Sequence, residues 1–132
     1  MRIMTDTNII ISAFLFPNSA IRALLEKIVV RDQLVLCTSI IEELHAVFKR
    51  KFPEEIDSLD FFLSELKYEL VYTPRRVDPE KYPHIRDEKD LPILVSAVDG
   101  DVDIFVTGDK DFHFVNIERP QIFFPKDFYE MY

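Results

Sequence analysis

The sequence predicts an α/β domain built on a mostly parallel sheet, and three observations carry that prediction. Short apolar runs alternate along the whole chain with segments of helical periodicity. Several of these runs end in residues that turn the chain or cap a helix, at Asp6-Thr7-Asn8, Thr38-Ser39 and Thr107-Gly108-Asp109. The 132 residues are 48% apolar, enough to fill one core, so residues 1–132 read as a single domain that folds alone.

Taken in order, Arg2-Ile3-Met4-Thr5 runs into Asp6-Thr7-Asn8 and reads as a buried strand ending in a carboxylate at a strand-to-helix turn. Ile10 and Phe14 mark a short helix, and Phe16-Pro17-Asn18-Ser19 breaks it. Ser19 then caps a second helix, with Ile21, Leu24, Leu25 and Ile28 on its apolar face. Leu34 to Cys37 is a compact apolar strand. Thr38-Ser39 opens a helix carrying Ile40, Ile41, Leu44, Val47 and Phe48, and Lys49-Arg50-Lys51 closes it at the negative end of its dipole.

Pro53 starts the next helix, where Ile56, Leu59, Leu63, Leu66 and Leu70 recur at helical spacing, with Leu70-Val71-Tyr72 a candidate short strand. Thr73 to Arg86 holds three prolines and alternating charges and reads as a loop. Asp90 to Val98 is predicted helical, Asp103 to Val106 a short strand, and Gln121 to Phe124 a last strand before a terminal helical turn. No internal repeat, low-complexity segment or dividing linker interrupts this order.

Composition narrows the function classes. No run approaches the roughly 18 to 20 apolar residues of a membrane span, and no basic segment precedes a long apolar one near the start, so a soluble cytoplasmic protein with no membrane partner is expected. Cys37, alone and inside an apolar run, reads as a core thiol rather than a nucleophile. Two glycines leave no Gly-rich phosphate loop, and His45, His84 and His113 are too scattered for a zinc motif, which leaves them exposed or capping roles. A net charge of −8 argues against a broad basic face for nucleic acid. The same charge fits carboxylates gathered into one cation site.

Ligands of parallel sheets bind beyond the carboxyl ends of the strands, so the acids at those turns are the ones to weigh. Asp6 either caps the helix beginning at Thr7 or Asn8 or faces a site. Ser39 and Glu42 fit a capping box, which leaves Glu43 beside the apolar stripe as a ligand or an edge charge reaching for water. Asp90 is a candidate N-cap, since Pro92 belongs in a first turn, yet it lies in line with Leu94 and Ala97 on the buried face. Asp109 and Asp111 are turn or cap candidates, with Gly108 permitting a tight turn and Thr107 offering a hydroxyl.

Jointly the pattern says more. Asp6, Glu43, Asp90 and Asp109 each fall at a strand end or near a helix start, and carboxylates gathered there repel unless a cation intervenes. An oxygen-only set suits Mg²⁺ or Mn²⁺, ions that promote phosphodiester cleavage by activating water.

Thr5-Asp6-Thr7-Asn8-Ile9, Ile41-Glu42-Glu43-Leu44, Asp87-x-x-Asp90 and Val106-Thr107-Gly108-Asp109-Lys110-Asp111 together resemble the PIN-domain family. Within it they resemble the VapC-like toxin components of toxin-antitoxin pairs. The resemblance implies a three-layer α/β/α sandwich with a five-stranded sheet and metal-dependent RNA cleavage. It implies Asp6, Glu43, Asp90 and Asp109 as the catalytic, metal-binding quartet, Asp111 as a fifth acid, and Asn8 and Thr107 as residues that orient them. Expected partners are an RNA substrate, an antitoxin protein and a second copy in a homodimer. Lys49, Arg50, Lys51, Arg75, Arg76 and Lys110 are candidates for guiding RNA phosphates, against a solvated helix end or loop.

Two rivals are weighed. A receiver-type signalling domain also gathers acids at strand ends, but here Asp6 stands alone and the second strand ends in Cys37-Thr38. A catalytically weak PIN domain acting by partner binding draws on Phe61 and Phe62, which cannot both face the centre of one apolar stripe.

Overall fold

The computed structural model describes all 132 residues. Five strands, β1 (Arg2–Thr5), β2 (Gln33–Cys37), β3 (Glu69–Val71), β4 (Ile104–Val106) and β5 (Gln121–Phe123), form one sheet in the order β3-β2-β1-β4-β5. Every pairing is parallel, so the sheet is wholly rather than mostly parallel. Parallel neighbours need crossovers, and these carry α1 (Thr7–Leu15), α2 (Ala20–Arg31), α3 (Thr38–Lys51), α4 (Ile56–Glu65), α5 (Leu91–Asp99) and α6 (Lys110–His113). A last helix, α7 (Pro125–Met131), follows β5. Crossovers between parallel strands of one sheet are right-handed almost without exception, so those on the two sides of β1 put helices on both faces of a three-layer sandwich.

The chain steps outward from β1 to β3, then crosses back to lay β4 on the other side of β1. The carboxyl ends of β1 and β4 therefore flank the switch point of the topology, where sheets of this kind open a crevice. Asp6 and Thr107 are the first residues beyond those two strands.

Central strands covered on both faces should be largely apolar, and here only Arg2, Thr5 and Gln33 interrupt β1, β2 and β4. Ile3, Met4, Leu34, Val35, Leu36, Phe105 and Val106 have no solvent exposure, and Cys37 joins them as a core thiol. Phe105 meets Phe112 edge-on at 4.9 Å, and Phe14 of α1 meets Phe48 of α3 at 5.4 Å. No single helix is long and apolar enough to cross a membrane.

Three local expectations fail for tertiary reasons. The Ser39–Glu42 capping box does not form, because α3 begins at Thr38 and Ser39 already lies inside its first turn. The Ser39 amide donates instead to Thr73 Oγ1 at 3.2 Å, and the Thr73 amide donates to Thr38 Oγ1 at 2.9 Å. The helix predicted from Pro53 to Leu70 is a 3-10 turn at Pro53–Glu55 followed by α4, which stops at Glu65. Leu70 keeps helical spacing but pairs with Leu36 in the sheet, as the candidate strand at Leu70-Val71-Tyr72 expected, within a β3 that runs from Glu69 to Val71. His113, finally, is neither a cap nor free: it stacks on Phe124 at 3.5 Å and bonds the Thr107 carbonyl at 2.8 Å.

Candidate metal centre

Asp6 serves as a cap and faces the switch point at once. Its Oδ1 accepts from the Ile9 amide at 3.0 Å, and its Oδ2 accepts from the Thr107 hydroxyl. Thr107 Oγ1 also accepts from the Asp109 amide at 3.0 Å, and Asp109 caps α6 by accepting from the Asp111 amide at 2.9 Å. One hydroxyl thus ties the acid after β1 to the acid after β4. Gly108 is not required for this turn: its φ is not positive, and a Cβ there would meet nothing within 4 Å.

Asp90 stands where a 3-10 turn, Glu88–Asp90, runs into α5, and its side chain caps nothing. Asp87 takes the capping role by accepting from the Lys89 amide at 3.0 Å, which leaves the Asp90 carboxylate free. Asp90, Asp109 and Asp111 then present oxygens that all lie within 4.8 Å of one another. Asp6 and Glu43 stand outside that trio. Both still interact electrostatically with it through Asp109.

The protonation behaviour follows from this crowding. Burial, followed by the charges of Asp109, Asp87, Glu43 and Asp111, pushes Asp90 up to about 7. Burial raises Asp6 as well, and Asp109 adds to the rise while Thr107 and the Ile9 amide oppose it. Desolvation of the carboxyl raises Glu43 although the residue as a whole is exposed, and the charges of Asp6 and Asp109 contribute. The Thr7 hydroxyl pulls Glu43 the other way from close by, yet it is buried without a well-formed hydrogen bond of its own.

Asp111 differs from its neighbours. Arg86 donates from Nε and Nη2 to its two oxygens, both at 2.8 Å, and holds the carboxyl below the usual range. A cation seeking Asp111 as a ligand competes with a bidentate guanidinium.

The other expected residues divide by position. The Asn8 side chain is exposed and makes no hydrogen bond to any of the acids. Arg75, Arg76 and Lys110 are exposed on segments that follow β3 and β4, at the acids' edge of the sheet. Lys49, Arg50 and Lys51 are also exposed, but they end α3, about 15 Å or more from its start at ~1.5 Å per residue, toward the opposite edge. They do not join the acids. Residues that sequence reasoning passed over are Arg86, Thr7 and Thr73. Arg86 left a trace as a cation directly before the acidic segment Asp87 to Asp90, and Thr7 as a member of the motif Thr5-Asp6-Thr7-Asn8-Ile9 with no role assigned.

The donor set is all oxygen, from carboxylates close enough to disfavour their joint ionisation, with a buried unpartnered hydroxyl beside them. That chemistry fits a hard divalent cation. Fold and site together define an α/β/α sandwich with carboxylates gathered at its topological switch point. The chain belongs to the PIN-domain family, whose model, described as PIN domain, matches residues 2–111. Among solved structures it is similar to a chain in the crystal structure of VapBC2 from Rickettsia felis bound to a DNA fragment from their promoter. That likeness has a TM-score of 0.68 at 23% identity over 92% of this chain and 96% of the other, and at such identity it is one of fold. No curated protein matches the chain significantly.

Proposed function

We propose that residues 1–132 act as one nuclease domain, a Mg²⁺- or Mn²⁺-dependent endoribonuclease working in the cytoplasm as the toxin of a toxin-antitoxin pair. The observation that carries this reading is the convergence of Asp90, Asp109 and Asp111 within 4.8 Å, with Asp6 tied to them through Thr107. Asp6, Glu43, Asp90 and Asp109 would hold the metal, with Asp111 at the edge of the set. A bound divalent cation supplies charge neutralisation and water activation for phosphodiester hydrolysis. Thr107 fixes the direction of Asp6 and the turn that carries Asp109, so the acids are oriented before any ligand arrives. Lys110, Arg75 and Arg76 lie on segments where an RNA backbone would pass.

The antitoxin part of the reading is supported by the fold likeness to VapBC2 and by an uncovered apolar face. Phe62 of α4 packs on Phe14 at 5.6 Å, whereas Phe61 beside it is 67% exposed, and Val30 of α2 is 83% exposed. An antitoxin, or a second copy in a homodimer, would bury these side chains.

The test is cleavage of a labelled single-stranded RNA by the purified chain. Mg²⁺ or Mn²⁺ should permit cutting, and chelator or Asp90→Asn should stop it. Cutting that persists in chelator, or full activity of Asp90→Asn, would overturn the proposal.

A further inference from the structure

We propose that Arg86 is a phosphate clamp of this site, holding the RNA phosphate that neighbours the scissile one. The inference rests on the nuclease reading above and adds to it a residue that meets the substrate.

The geometry is specific. Arg86 spends one edge of its guanidinium, Nε and Nη2, on the two oxygens of Asp111 at 2.8 Å each. Two of its five N–H donors are used this way, and Nη1 has no protein partner. The side chain is nevertheless 80% exposed, while that of Asp111 is only 15% exposed. Asp111 thus anchors the guanidinium and leaves its outer edge open. Because one oxygen of Asp111 lies within 4.8 Å of an oxygen of Asp90 and one of Asp109, that edge stands at the rim of the acid cluster.

Orientation distinguishes Arg86 from the other cations at this edge. Lys110, Arg75 and Arg76 make no ion pair, whereas Arg86 is fixed by two parallel bonds. A planar fork so fixed suits a phosphate, which it can meet with two donors at once. A chain of net charge −8 needs such a local cation if it is to draw a polyanion toward its acids.

Arg86 also lines a cleft of about 380 Å³ with Pro79, Pro83, His84, Ile85, Leu91 and the acidic Glu88. This volume falls within the roughly 300 to 1,000 Å³ of small-ligand sites. Proline faces and an imidazole offer stacking surface to an unpaired base, the form in which single-stranded RNA presents its nucleosides. The phosphate on Arg86 and the nucleoside in the cleft would then belong to one nucleotide.

The test uses the full chain carrying Asp90→Asn to prevent cutting, titrated with a fluorescein-labelled single-stranded RNA over a series of KCl concentrations. Adding Arg86→Ala should weaken binding about tenfold and lower the slope of log affinity against log salt by about 0.7. Arg86→Lys should keep the slope while losing several-fold in affinity. Mn²⁺ affinity, read by calorimetry on the otherwise unaltered chain, should not fall in Arg86→Ala and should rise where Asp111 is freed of its guanidinium, since the clamp acts on RNA. Unchanged RNA affinity and slope in Arg86→Ala would overturn the inference, as would a loss confined to Mn²⁺ binding. If the unaltered chain cuts RNA while Arg86→Ala binds RNA like its parent, the clamp alone falls. If the unaltered chain neither binds nor cuts RNA, the nuclease reading falls with it.

Discussion

Thr107 donates its hydroxyl to Asp6 across 101 positions of the chain, joining the first residues beyond the two central strands. The same oxygen accepts from the Asp109 amide, so replacing it with carbon strands two polar groups. Thr107→Val should cost about 1 to 3 kcal/mol in stability, because Asp6 and Thr107 are buried and their lost bond is not replaced by water. It should also weaken Mn²⁺ binding. Thr107→Ser retains the hydroxyl and should stay close to the parent on both counts. Urea denaturation and calorimetric Mn²⁺ titration check this pair.

The double duty of Asp6 separates two substitutions that would otherwise look alike. Asp6→Asn keeps an oxygen for the Ile9 amide and another polar group toward Thr107, so the fold should survive while metal-dependent RNA cleavage is lost. Asp6→Ala removes the helix cap as well and should cost about 1 kcal/mol more. Thermal melts beside a cleavage assay distinguish the two.

Asp90 sets a pH dependence with a definite sign. The unfolded chain ionises this residue near its ordinary value of 3.8, whereas the fold keeps the proton until about 7. Between those values the native state binds more protons than the unfolded one, so rising pH destabilises the metal-free protein. Asp6 and Glu43, also raised, act in the same direction. His45, raised by Asp60, likewise loses its contribution as pH rises through its folded value, but it has no part in the metal site. Asp32, Asp103 and Asp111 are lowered, so their contributions are lost only as pH falls below about 4. In chelator, the melting temperature should therefore fall between about pH 5 and pH 7.5. Mg²⁺ or Mn²⁺ should offset most of that fall, and Mn²⁺ affinity should rise across the same window as binding releases protons. A melting temperature that is flat in chelator would contradict the crowding inferred for Asp90.

The basic residues divide by edge. Alanine at Lys49, Arg50 and Lys51 together should leave RNA cleavage unchanged and cost about 1 kcal/mol through the helix dipole, about 0.3 at each charge. Alanine at Arg75 and Arg76 should weaken RNA binding, with a shallower salt dependence. Cleavage rates and binding isotherms at two salt concentrations settle which group meets RNA.

Much of the fold was legible because strand, turn and helix are written in short-range pattern. The apolar runs at Ile3-Met4 and Leu34 to Cys37 became strands, and Ser19 caps α2 through the Arg22 amide at 3.1 Å as its position suggests. Where the pattern misled, a distant group had displaced a local one. Glu42 and Ser39 satisfy every rule for a capping box, yet Thr73 reaches the Ser39 amide from 34 residues away. The helical stripe from Pro53 stops at Glu65, and of the two readings open to Leu70 the sheet took the strand.

The α/β class and the placing of acids at strand ends and helix starts could be read from the chain alone, because they depend on periodicity and on bonds between residues a few positions apart. The family was visible as a resemblance carried by the order of the acidic motifs. Tertiary structure alone decided which acids meet and which are spoken for. Asp87 caps so that Asp90 is free, Arg86 claims Asp111 from 25 positions away, and Thr107 reaches Asp6 across 101. Such pairings depend on the order of strands in the sheet, because β4 returns beside β1 only after the chain has built the other half of the fold. No local pattern encodes that return, and the meeting of the acids depends on it.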